Sequence, residues 1–347
     1  MTWRFTPATG PSAWLGPEMA TSSAWIVQLT PSACAELEAA AQTIHDKGIS
    51  APFFDAASFQ LPTLAGTLSE LIDQVSLGRG FVLLRGLPVS QYDRQTIRDI
   101  LWGLGCHWGN AVTQNKAGDA IAEITDLGMD ATKPGVKPSL TNAEQRPHSD
   151  PSDVVALLCV SGAAQGGVSR IASTIAIYNR LLDERPSEME CLYQGFHHDL
   201  RGDAMNDSPH GCTPVPIPVY RQFQGALSCV FNASTVKAAE RLRGVAVPPN
   251  EMAVLDRIVE LARSDEFRLD MKFEPGDIQL LNNHTTVHWR TQYIDHPEAE
   301  RKRRLYRLWL NRPGIRPVDP AMRRGYITGS QAGTPVSATL QAGTASL

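Results

Sequence analysis

Residues 154–160 read Val-Val-Ala-Leu-Leu-Cys-Val, an unbroken apolar run of strand length directly behind His148-Ser149-Asp150-Pro151. Such a run is a strand buried on both faces, so the chain must build a layered core around it, with the His-Ser-Asp triplet at its mouth. Other segments repeat the signal. Residues 81–84, Phe-Val-Leu-Leu, form a short apolar run between Gly80 and Gly86. Residues 278–281 follow the turn Pro275-Gly276. Residues 303–310 alternate, which puts Arg303, Leu305, Arg307 and Trp309 on one strand face. Residues 219–223 and 227–231, around Gln224-Gly225-Ala226, predict a hairpin.

Helical spacing is confined to other stretches. Thr30-Pro31-Ser32 starts a helix that carries Leu37, Ala40 and Ile44 and stops at Gly48. Residues 92–104 place Ile97, Ile100, Leu101 and Leu104 on one stripe. Residues 175–193 are helical with a break near Pro186, and 250–267 carry Met252, Leu255, Ile258, Val259 and Ala262 at helical spacing. No internal repeat is present. The expected fold class is mainly β with added helices, a jelly-roll-like core rather than regular βαβ alternation. One domain is expected over residues 1–328, with helical and strand elements at 25–75, the core at about 76–312 and a lid-like insertion at about 196–217. Residues 329–347 are rich in Gly, Ala, Ser and Thr and uncharged, as expected of a flexible tail.

With 42% hydrophobic and 20% charged residues, this 347-residue chain can bury a large core. Its formal charge of −4 provides no basic field, so neither nucleic acid nor a membrane is expected as a partner. Residues 1–11 lack the pattern of a secretory signal, and no apolar run approaches the roughly 18 residues of a membrane span. The six cysteines are scattered without metal-type spacing and are expected to be reduced thiols in a cytoplasmic protein.

The chemistry lies in the triplet. Residues i and i+2 of a strand point the same way, so His148 and Asp150 can aim an imidazole nitrogen and a carboxylate oxygen at one point. A second imidazole would complete the two-His, one-carboxylate set of non-haem Fe(II) oxygenases, which leaves coordination positions open. His-x-Asp alone is common by chance. His288 is favoured as third ligand by its context, after Pro-Gly-Asp, an apolar strand and a turn, with arginines following. His284, His210, His296, His197 and His198 are rivals.

Together, His148-Ser149-Asp150, Gly166-Gly167-Val168-Ser169, Pro275-Gly276-Asp277, Asn283-His284-Thr285-Thr286-Val287-His288 and the segment 303–310 resemble the taurine dioxygenase-like Fe(II)/2-oxoglutarate oxygenases over about residues 75–312. The resemblance implies a double-stranded β-helix of the clavaminate synthase-like type. It also implies oxidation of a small-molecule substrate, most simply C–H hydroxylation, while 2-oxoglutarate and O2 become succinate and CO2. His148, Asp150 and His288 match the iron ligands and the catalytic centre. Arg303 matches the arginine that pairs with the outer carboxylate of 2-oxoglutarate, and Ser169 a hydroxyl on the same cosubstrate, where threonine is usual. Guanidinium geometry suits that carboxylate. Arg301, Arg304 and Arg307 are alternatives, and Arg307 shares a face with Arg303 and could meet cosubstrate or an acidic substrate. Trp289 and Pro151 depart from the family's usual residues. Asp150 argues against a halogenase, which keeps that coordination position free for halide.

Substrate-facing candidates are Gln114, Asn115, the polar stretch 139–146 including Arg146, and Arg290. Related enzymes form dimers or tetramers, so a homo-oligomer is expected. Rival readings are a desaturase or cyclase of the same family, a zinc hydrolase or isomerase using the triad, and a non-catalytic β-barrel binding protein.

Overall fold

Apolar runs without alternation imply strands covered on both sides, and the computed structural model has that arrangement. It describes residues 3–115, 117–131, 133, 136–201 and 209–322. The expected tail and residues 202–208 of the insertion lie outside these. The major sheet runs in the order Ile26–Gln28, Phe81–Arg85, Ile278–Asn282, Val154–Ser161, Arg304–Asn311, Asn110–Val112, and Ile121–Ile124 also pairs with the 304–311 strand. Its pairings are antiparallel apart from the parallel edge pair of 26–28 and 81–85.

The two-residue period of these strands divides their side chains between two cores. Val154, Ala156, Leu158, Ile278, Leu280, Tyr306, Leu308 and Leu310 pack outward against the helices Pro31–Asp46, Ala65–Leu77 and Arg94–Trp108. Val155, Leu157, Cys159, Leu281, Leu305 and Trp309 pack inward, toward Ile171, Leu269 and Met271 of a second sheet. At roughly 25 cal/mol per Å² of buried apolar surface, this double burial is the main force that fixes the strand registers.

The second sheet has the order Arg268–Met271, Ser169–Ser173, Thr286–Arg290. Its back, including Val287 and Trp289, is covered by Thr174–Glu184, Ala233–Arg243 and Pro249–Arg263. Its front therefore carries Thr286, His288 and Arg290 toward the major sheet. No helix among the described residues is long and apolar enough to cross a membrane.

Local boundaries follow caps and turns. Thr30 Oγ1 accepts from Ala33 N at 3.1 Å, and Asp93 Oδ1 accepts from Thr96 N at 2.7 Å. The second cap moves the expected 92–104 helix to Arg94–Trp108. The expected 250–267 helix ends earlier, at Arg263, because Ser264 is extended (ψ 154°) and residues 268–271 join the second sheet. The hairpin forms as Tyr220–Phe223 and Ala226–Cys229 around a two-residue turn with φ of 47° at Gln224 and 84° at Gly225.

Candidate active site

His148 precedes the 154–161 strand and makes one antiparallel bridge with His288. His148 N donates to His288 O at 3.1 Å, and His288 N to His148 O at 2.8 Å. Reciprocal backbone bonds set the imidazoles side by side, with ring centroids 4.4 Å apart. Two residues on, Asp150 faces the same point. Its Oδ1 is 3.9 Å from His148 Nε2 and its Oδ2 is 3.7 Å from His288 Nε2. These three side chains form the group of metal-capable donors found among the described residues, all within 4.8 Å of one another. Of the rival histidines, His284 turns away to Asp153 at 2.9 Å and His198 to Thr235 at 2.7 Å.

The surroundings tune all three. His148 Nδ1 lies 2.8 Å from Arg146 O; carrying its proton there leaves the Nε2 lone pair facing Asp150 and His288. Burial pushes the His288 imidazole down to about 3, helped by His148 and opposed by Asp150. Burial likewise lowers His148, so both rings are neutral near pH 7. Burial works against the charge on Asp150, but Arg307 and the two histidines outweigh it and hold the carboxyl well below its usual range. Asn283 Oδ1 accepts from Asp150 N at 3.0 Å, and Trp309 Nε1 donates to Asp150 Oδ2 at 2.9 Å.

A cleft open at its mouth adjoins the triad; its lining includes Ser139, Gln145, Ser169, Arg290, Arg303 and Arg307. The alternation of the 304–311 strand separates the arginines. Arg303 and Arg307 reach the cleft, Arg304 pairs with Glu123 at 2.6 Å, and Arg301 pairs with Glu298 at 3.4 Å. Arg303 Nη1 is buried without a hydrogen-bond partner, an arrangement that calls for an anion. Ser169 Oγ lies within 3.4 Å of the Gln279 side-chain amide. Arg307 is held from two sides, by Gln114 Oε1 at 2.7 Å from its Nε and by Asp150 Oδ2 at 3.5 Å from its Nη1.

Three substrate candidates from the sequence fall outside the cleft lining, and one of them, Gln114, bears on the cleft only through Arg307. Asn115 closes its own turn through Asp119 at 2.7 Å, and Arg146 is exposed, reaching the site through its carbonyl. Sequence reasoning passed over Tyr293, Gln279 and the purpose of Gly166-Gly167. The Tyr293 ring lies under both Arg290 and Arg303, at 4.5 and 5.2 Å to the guanidinium carbons. Both glycines have positive φ, and a Cβ at Gly167 would lie 3.0 Å from Arg303 Nε. A glycine pair ahead of an inward-facing serine was the available signal.

The family profile of the taurine catabolism dioxygenase TauD, TfdA family matches residues 45–309. The chain belongs to the TauD/TfdA family of Fe(II)- and 2-oxoglutarate-dependent dioxygenases. It is 31% identical over 314 residues to FR-33289 synthase of Streptomyces rubellomurinus, covering 88% of this chain and 90% of that protein. It is 26% identical over 322 residues to the taurine hydroxylase-like protein SAT17 of Stachybotrys chartarum, covering 87% and 81%. Among solved structures it resembles an asparagine oxygenase in complex with Fe(II), 2S,3S-3-hydroxyasparagine and succinate, with a TM-score of 0.65, 16% identity and coverage of 84% and 98%. A non-haem iron oxygenase, OrfP, with Fe, succinate and (3S)-hydroxy-L-Arg gives a TM-score of 0.59 at 13% identity, covering 86% and 98%. These likenesses show the jelly-roll fold.

Proposed function

We propose that this TauD/TfdA dioxygenase hydroxylates a C–H bond of a small organic acid, with His148, Asp150 and His288 as iron ligands and Arg303 and Ser169 as cosubstrate residues. The observation that carries the reading is the convergence of two neutral imidazoles and one ionised carboxylate at the end of a cleft whose charged walls are guanidinium groups. The donor set fits iron: each imidazole has Nε2 turned toward Asp150, and the carboxylate keeps its charge. The cleft fits 2-oxoglutarate, because Arg303 offers an unpartnered buried N–H to an anionic end.

With both bound, the iron would activate O2, the oxidant; 2-oxoglutarate would give two of the four electrons in becoming succinate and CO2, and the C–H bond the other two, with one oxygen atom going to each product. The chain's own residues supply the geometry. Trp309 and Asn283 fix Asp150, the His148–His288 bridge fixes the imidazoles, and the inward core keeps water from the reacting side. Arg307, held by Gln114 beside the triad, is proposed to receive the substrate's acid group and so place a C–H bond near the metal. The substrates or products named for similar proteins, hydroxyasparagine and hydroxyarginine, are amino acids and carry such a group. The working unit is proposed to be a cytoplasmic homo-oligomer, supported by its six free thiols and by the habit of related enzymes.

Anaerobic protein given Fe(II) and 2-oxoglutarate should develop a visible metal-to-ligand charge-transfer band. Succinate formation should then depend on one member of an amino-acid and small-acid panel. No band with either reagent order, and no iron lost on replacing His288 by alanine, would refute the assignment.

A further inference from the structure

Arg290 leaves most of its fork unused. Its Nη2 donates to the main-chain oxygens of Thr141, at 3.1 Å, and Ala143, while Nε and Nη1 are buried without partners. Arg303 shows the same feature at Nη1. Both side chains are only 4% exposed residues, both line the cleft, and both stand over the Tyr293 ring. Among the described residues neither has a carboxylate at ion-pair distance from its guanidinium. Two buried cations that repel each other and keep spare donors form half of an ion pair.

The register shows which end of the cleft they serve. Arg290 lies directly opposite Ser169 in the antiparallel pairing of 286–290 with 169–173, so their side chains share a face as close neighbours. The Gly166-Gly167 bend, against which Arg303 packs, leads into that same serine. Arg290 is also rigid. Its Nη2 bonds and the bond from Gln145 N to its carbonyl, 3.0 Å, tie it to the 141–145 segment.

We propose that Arg290 is a second guanidinium for the cosubstrate, so that the outer carboxylate of 2-oxoglutarate is gripped by Arg303 and Arg290 together, beside Ser169. The proposal rests on this chain's use of 2-oxoglutarate and assigns Arg290 to the cosubstrate rather than to the substrate mouth. It predicts a coupling between one side chain and one end of one ligand.

The test compares 2-oxoglutarate with 2-oxobutanoate, which has the same 2-oxo acid and lacks the outer carboxylate. Dissociation constants are measured anaerobically on the Fe(II) protein, from the charge-transfer band and by calorimetry, for wild type, R290Q and R290K. R290Q should weaken 2-oxoglutarate about 10- to 100-fold, the scale of a hydrogen bond between charged groups, and 2-oxobutanoate less than about twofold. R290K keeps the charge but not the fork and should show a smaller loss, again confined to 2-oxoglutarate. If R290Q does not fold, R290K decides. Equal weakening of both ligands, or no weakening of either, overturns the proposal while wild-type binding of 2-oxoglutarate still stands. A wild type that binds no 2-oxoglutarate removes the cosubstrate reading itself and the proposal with it.

Discussion

Trp309 Nε1 donates to Asp150 Oδ2 at 2.9 Å, and the same indole carries the Arg307 guanidinium 4.4 Å above its ring. One side chain on the major sheet thus orients a proposed iron ligand and supports a proposed substrate residue. Trp309→Phe keeps the ring and removes the donor. Partners that orient metal ligands typically contribute about 10- to 100-fold in affinity, so Fe(II) binding should weaken by about 10-fold or more. Metal titration followed by chelator competition measures it. An unchanged iron affinity would show that Asp150 holds its rotamer without the indole.

Gly167 is a second position at which a small change should reach the site. Its φ is +68°, and an added Cβ would meet Arg303 at 3.0 Å from Nε and 3.2 Å from Cδ. Gly167→Ala should destabilise the fold by about 1–2 kcal/mol through the left-handed backbone alone. It should also displace Arg303, so 2-oxoglutarate binding weakens while iron binding does not. Thermal unfolding and ligand titration separate the two effects; weakened iron with intact cosubstrate binding would contradict the placement.

How far the sequence carries depends on whether a signal is local. The strands at 81–85, 154–161, 278–282 and 304–311 stand out as apolar runs or alternations because both of their faces are buried. The His148–Asp150 pair and the inward face of Arg303 and Arg307 follow from the two-residue period. The strands Ser169–Ser173 and Arg268–Met271 do not stand out, since they are short, polar in part and defined by their pairing with each other. Gln279 looks out of place in an apolar strand until Ser169 is set opposite it. Tyr293 gave no signal, because its role comes from two arginines, Arg290 at the end of the 286–290 strand and Arg303, 10 residues after the tyrosine.

Gln114 orients Arg307 through Oε1 and uses its amide to donate to Ala120 O and Arg307 O, both at 2.8 Å. Gln114→Leu keeps the volume and frees the guanidinium. Losing these buried bonds should lower stability by about 1–3 kcal/mol. With Arg307 less confined, KM for an acidic substrate should rise about 10-fold, while 2-oxoglutarate and iron affinities change less than about twofold. Steady-state kinetics with the substrate from the succinate screen reads this split. A rise in the 2-oxoglutarate constant instead would move Arg307 to the cosubstrate side.

Asn283 and His284 adjoin the triad at the corner between the 278–282 and 286–290 strands, and they should differ in consequence. Asn283 is buried, accepts from Asp150 N at 3.0 Å and donates to Ser152 Oγ at 3.2 Å. His284 bonds instead to Asp153, whose other oxygen accepts from Arg312 N at 2.8 Å, on the far side of that corner. Asn283→Ala leaves the Asp150 amide without its acceptor, so it should lower stability by about 1–3 kcal/mol and loosen the carboxylate that faces both histidines. Iron affinity should then fall further than in His284→Ala, which removes a partner of Asp153 and touches neither His148, Asp150 nor His288. Matched unfolding and iron titrations on the two variants compare the effects directly. Equal iron loss at equal destabilisation would mean that the corner acts only through the fold, and a larger loss in Asn283→Ala that it acts through Asp150.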